Sequence, residues 1–141
     1  MAAFTNVDLV RQKFQLADET VVPTALVQAA IDDAHTVVLR YLAPEYEGGA
    51  TPAGLVVGET ELAGAHLLRS LASGDAFKQK HLSLGGQKIE EGKRFSALMT
   101  LAERAEEAAW AALDPFLEAR PATVLGRVTD STPVLGAASD A

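Results

Sequence analysis

The run from Pro23 to Leu42, PTALVQAAIDDAHTVVLRYL, constrains the fold more than any other part of this chain. Leu26, Val27, Ala30, Ile31, Ala34, Val37, Val38 and Tyr41 recur at i, i+3 and i+4, which lays one apolar stripe along a helix. Gln28, Asp32, Asp33 and Arg40 fall on the other side. Pro23 suits the start, where a missing N–H costs nothing. Ala43-Pro44 suits the end, because the residue before a proline is pushed out of helical geometry. At 1.5 Å per residue the helix spans roughly 30 Å. A striped helix of that length must bury its stripe against other elements, so the rest of the chain has to supply partners.

Those partners are legible on both sides. Asn6 is placed to cap a short helix from about Val7 to Phe14, with Val7, Leu9, Val10 and Phe14 as its apolar face. Ala17 to Val22 reads as a loop, and Glu45 to Gly54 as a turn region rich in glycine and flanked by proline. A third helix is predicted over roughly Leu55 to Ser73. Leu55, Leu62, Ala65, Leu68 and Leu71 mark its face, with Ala63 and Leu67 beside it, and Gly74 stands as its stop. Gly58 and Gly64 each weaken that helix by about 1 kcal/mol relative to alanine, a cost that makes sense where another helix must come close. HLSLGGQKIE, residues 81–90, reads as a small β-hairpin turned at Gly85-Gly86. A last helix is predicted from about Arg94 to Leu117. Phe95, Leu98, Leu101, Ala102, Ala105, Ala109, Ala112, Leu113 and Phe116 form its stripe, Glu103, Glu106 and Glu107 face out, and Pro115 kinks or ends it.

The expected fold is therefore mainly α: a small bundle of three to four helices with a short β-hairpin insertion and an extended C-terminal tail. Residues 1–120 form the helical domain and residues 121–141 the tail. The tail, PATVLGRVTDSTPVLGAASDA, has one basic and two acidic residues and is otherwise dominated by small, β-branched and turn residues. It cannot build a core, yet it lacks the charged composition of ordinary disorder. Val124, Leu125, Val128, Val134 and Leu135 suit strand-like addition to another surface.

Composition narrows the chemistry. With 141 residues the chain is one domain and can bury a real core. A net charge of −7 argues against gripping nucleic acid through its phosphates. It leaves open a protein that surrounds DNA without holding it. There is no cysteine, which removes disulfides, thiolate metal sites and thiol nucleophiles. The N-terminus lacks the basic-then-apolar order of a signal peptide, and no stretch reaches the ~20 apolar residues of a membrane helix. The expectation is a soluble protein made inside the cell, with no membrane contact.

No segment carries a catalytic constellation. Asp32 and His35 have the i, i+3 spacing of helical carboxylate-bridged metal sites, but Glu59, Glu61 and His66 do not complete a second such motif. His35 is expected half-buried on the helix shoulder and His66 packed between helices. Asp32 and Asp33 diverge by about 100° on a helix and read as a solvated face rather than an acid/base pair. Gly85-Gly86-Gln87-Lys88 is only a fragment of a phosphate loop. Ser73, Ser83 and Ser96 lack the context of a nucleophile. Lys78, Lys80, Lys88, Lys93 and Arg94 make a local basic stretch, either a solvated hairpin or a contact for an acidic partner or passing DNA. No cofactor or metal is expected, and the chain is not expected to be an enzyme.

The order of these parts carries a resemblance. After a short first helix, the helix ALVQAAIDDAHTVVLRYL, a proline/glycine loop, the alanine/leucine-rich ELAGAHLLRSLASG, a hairpin-bearing loop and a final alanine-rich helix run from Pro23 to Leu117 in the manner of one family. The chain resembles the head–tail connector proteins, also called adaptor or head-completion proteins, of tailed bacteriophages and gene transfer agents. The resemblance is one of architecture and texture, and no functional residue set transfers with it. It implies a structural virion protein at the neck, made in the host cytoplasm. Such proteins form a ring homo-oligomer, commonly a dodecamer, beneath the portal protein. The ring extends the DNA channel, lets genomic DNA pass without sequence-specific binding, and gives a stopper or tail-completion protein its platform. On that reading Leu82, Leu84 and Ile89 of the hairpin, and Val124, Leu125, Val128, Val134 and Leu135 of the tail, are the partner interface. The competing expectation is a soluble helical regulatory module that binds a partner as a dimer.

Overall fold

The computed structural model describes residues 2–81 and 85–118, with side chains at 2–74 and 93–118. Its elements are α1 (Val7–Phe14), α2 (Thr24–Tyr41), a 3-10 turn at Pro44–Tyr46, α3 (Ala53–His81), α4 (Gly85–Leu113) and a second 3-10 turn at Asp114–Phe116. The fold is mainly α, as the periodicity requires. The tail residues Val124, Leu125, Val128, Val134 and Leu135 lie outside the described residues, and so do Leu82 and Leu84.

Local chemistry sets most boundaries. Asn6 is extended and its Oδ1 accepts from the Leu9 amide at 2.9 Å, capping α1. The end of α1 is unusual. Gln15 takes the left-handed conformation (φ 55°), and the Leu16 amide returns to the Arg11 carbonyl at 2.9 Å. Arg11 then pins the following loop, donating to the carbonyls of Leu16 at 2.7 Å and Val22 at 2.8 Å. Pro23 precedes α2 and Pro115 sits in the turn that closes α4.

α3 is the axis of the molecule. α2 lies antiparallel against one side, bringing His35 to Glu59 and Asp33 toward His66. α4 lies antiparallel against another, with Arg69 reaching Glu106 and the α3 N-terminus reaching Phe116. α1 crosses a third side. Val10, Val27, Ile31, Val38, Leu55, Leu62, Leu67 and Leu113 form the buried centre. α4 contributes mostly alanine to that core, Ala102, Ala105 and Ala109, so its backbone sits close to α3. Gly58 and Gly64 provide the close approaches: a Cβ at Gly58 would collide with Leu113 of α4, and one at Gly64 with the Phe14 ring of α1.

The ends of the bundle are tied by backbone. Leu42 and Leu117 form an antiparallel bridge. The Ala43 amide donates to Phe116 at 3.0 Å and the Glu118 amide to Tyr41 at 2.7 Å. Phe116 closes the layer, edge-on to Tyr46 with ring centroids 5.2 Å apart.

Two expectations are corrected. α3 does not stop at Ser73. It runs through Gly74 to His81. Gly74 is exposed with no atom near it, and a glycine that nothing forces into a left-handed conformation can simply continue a helix. The hairpin over 81–90 is likewise not formed: Gly85 to Glu90 belong to α4, and Ile89 is a helical residue. Two alternating leucines are a short basis for a strand. Gln87, Lys88, Glu90 and Glu91 are good helix formers, and a glycine pair in the first turn costs little, because the amides there have no partner within the helix.

Candidate functional site

α3 carries an acid in the middle of its apolar face. Glu59 lies between Leu55 and Leu62 on the side that meets α2, and it is 0% exposed. Its Oε1 accepts from the amides of Phe4 at 2.6 Å and Thr5 at 2.9 Å. Its Oε2 faces His35 Nδ1 at 2.6 Å. The carboxylate can only accept, so Nδ1–H donates, and His35 Nε2 is left buried without a partner. Beside them the Thr5 and Thr60 hydroxyls meet at 2.6 Å, and Thr60 donates to the Val56 carbonyl at 2.7 Å. The Phe4 ring stands edge-on to His35 at 5.2 Å. A buried carboxylate is tolerable only when its lone pairs are satisfied, and here three donors satisfy them. The result is a fastener: it ties the chain ahead of α1 to α2 and α3 from inside.

Asp32 does not join this group. It is exposed and accepts from Gln28 Nε2 at 3.0 Å. The i, i+3 pair Asp32/His35 therefore splits, one residue to solvent and one to the core. His35 is 8% exposed rather than half-buried. Among the described residues no group of three or more His, Cys, Asp or Glu side chains could hold a metal ion. Glu59 was the residue the pattern concealed. Its signal was its position, three residues before Leu62 and four after Leu55, inside an apolar stripe.

His66 lies between α2 and α3, as expected. It lines an open cleft of about 430 Å³ with Leu26, Ala30, Asp33, Arg69 and Ser73. Burial lowers its pKa from 6.5; Arg69 acts in the same direction, Asp33 and Glu106 against it. Arg69 is already engaged, its Nη2 on Glu106 Oε1 at 2.6 Å. Glu106 therefore faces inward, although its spacing pointed to solvent.

The third feature is a pair of shallow grooves beside α3, separated where the Phe14 ring of α1 lies over Gly64. At one end, Leu9, Val56, Val57 and Thr60 line a shallow apolar groove of about 230 Å³. At the other, Phe14, Leu68, Leu101 and Arg104 line a groove of about 260 Å³. The Lys13–Glu61 ion pair, 3.2 Å, crosses between them. Along these grooves Leu9, Val57 and Leu101 are 36%, 47% and 49% exposed.

Of the residues expected at a partner interface, Ile89 is placed on α4 by its backbone; the other seven lie outside the described residues. No helix of the described residues is long and apolar enough to cross a membrane. No family model, no curated protein and no solved structure matches this chain.

Proposed function

We propose that the chain is a structural neck protein, a head–tail connector that forms a ring between the portal and the tail or stopper and extends the DNA channel. The observation that supports this best is the order and texture of the elements. A short capped helix, a striped helix, a proline/glycine turn and two long alanine- and leucine-rich helices follow one another as they do in that family. The family's hairpin-bearing loop is the departure, since residues 85–90 continue α4 here. The chemistry agrees in kind. Among the described residues the Glu59 carboxylate accepts from two amides and from His35, and this buried group works as a fastener. A net charge of −7 suits a channel wall along which phosphates slide rather than stick. The apolar tail supplies contacts for a neighbouring subunit or the portal.

The test is co-assembly with the portal protein from the same genome, imaged by negative-stain electron microscopy. The expected result is a new ring of density beneath the portal. A bare portal, with this chain folded and in excess, overturns the reading in favour of a soluble partner-binding dimer.

A further inference from the structure

Two surfaces of this chain fit each other on different copies. We propose that Val21 of one copy seats in the apolar groove between α1 and α3 of a second copy. The contact goes beyond the connector proposal, because it stands on these two surfaces alone. Joining different patches, it can repeat from copy to copy, as a ring requires.

The first surface is a knob. Val21, in the loop before α2, is 66% exposed, the most exposed large hydrophobic side chain among the described residues. It is held out rather than left loose. Val22 beside it is anchored in the core. The Asp18 carboxylate accepts from the amides of Thr20 at 2.9 Å and Val21 at 3.4 Å. The Asp18 carbonyl accepts from the Val22 amide at 2.9 Å, and Arg11 donates to the Val22 carbonyl at 2.8 Å. A side chain fixed in advance loses little freedom on contact. The second surface is a hole. Leu9, Val56, Val57 and Thr60 line it, and Leu9 and Val57 are themselves exposed. The Phe14 ring over Gly64 separates it from the groove at Leu101, so it suits a single side chain rather than a strand or helix. The third observation is charge. Lys13, half exposed, is the one charged residue among those lining this groove. The knob is acidic, with Asp18 and the exposed Glu19 just ahead of Val21. Two copies of net charge −7 repel unless they meet where their charges are opposite, and Glu19 against Lys13 is such a place. Lys13 already meets Glu61 at 3.2 Å, and an ammonium has three donors, enough for both carboxylates.

The chain has no cysteine, so single thiols can be introduced cleanly. One copy carries Val21→Cys, capped as a mixed disulfide with thionitrobenzoate. It is combined, without portal, with an equal amount of a copy carrying Val57→Cys. The thiolate at position 57 attacks the capped sulfur, a disulfide joins the two copies, and thionitrobenzoate leaves as the coloured thiolate that is read. The control uses Leu101→Cys in place of Val57→Cys, a site in the other groove exposed to nearly the same degree, 49% against 47%. Each rate is divided by that of the same thiol with a small disulfide. The seated contact gives coupling at least about tenfold faster at position 57 than at position 101. At low ionic strength Glu19→Lys in the capped copy slows it, and Lys13→Glu in the other copy restores it. Equal rates at positions 57 and 101 overturn the proposal, and so does a rate that Glu19→Lys leaves unchanged. With no portal present, either failure leaves the connector reading standing, and a bare portal in the co-assembly experiment leaves this contact standing.

Discussion

Glu59 shows how one residue can decide the fate of a segment. Residues before α1 have no helix of their own, and they are held because a buried carboxylate accepts two of their amides while His35 donates to its other oxygen. Removing one partner of a buried pair leaves the others unsatisfied and costs about 3–5 kcal/mol. Glu59→Ala should lose that much in urea unfolding and expose the Phe4 and Thr5 amides to rapid hydrogen exchange. A loss below about 1 kcal/mol would mean that water replaces the carboxylate without penalty. His66 offers a second expectation. Burial holds its folded-state pKa below 6.5, so the unfolded chain takes up the proton first. Its contribution to stability is complete above the unfolded pKa and is lost as pH falls from there through the folded value. His66→Gln should flatten the decline in urea midpoint between about pH 7 and about pH 5. An unchanged slope would place the acid sensitivity elsewhere. Neither role is visible in spacing alone. Asp32 and His35 looked paired because they are three residues apart, yet the α2 stripe turns one outward and the other into the core.

At the scale of the elements, the glycines of α3 separate into two kinds. Alanine is preferred to glycine inside a helix by about 1 kcal/mol, so each Gly→Ala change should stabilise unless the added methyl meets something. At Gly74 it meets nothing, and Gly74→Ala should raise stability by roughly 0.5–1 kcal/mol. At Gly58 it meets Leu113, which is 0% exposed and cannot swing away. Gly58→Ala should therefore destabilise by roughly 1–3 kcal/mol, as overpacked helix interfaces do. Gly64→Ala should fall between them, because the half-buried Phe14 ring it meets can yield. Thermal unfolding of the three variants checks the order, and a stabilised Gly58→Ala would refute the close α3–α4 approach. The same contrast explains what could be read beforehand. Asn6, Pro23 and Pro115 mark boundaries because each acts through its own backbone or side chain. Gly74 and Gly85-Gly86 permit a stop, a turn or a continuing helix with similar ease. Around Gly85-Gly86 the helix formers Gln87, Lys88, Glu90 and Glu91 tip the balance toward helix, a small preference that two alternating leucines were enough to mask.

For the whole molecule, the division of labour between bundle and tail is the remaining argument. The described bundle ties its own ends: the Leu42–Leu117 bridge, the Glu118 amide on Tyr41 and the Phe116–Tyr46 contact join the end of α4 to the end of α2. Nothing in the described core requires Pro121–Ala141. The tail also carries few charges and several β-branched residues, a composition suited to covering apolar surface rather than to solvation. Deleting Pro121–Ala141 should therefore leave helical circular dichroism near that of the full chain. On the connector proposal it should abolish docking to the portal. The two readouts fail separately. Lost helicity would make the tail part of the core. Normal portal docking would move the partner contacts off the tail and onto the bundle, with the exposed edge of α3 as the first place to mutate.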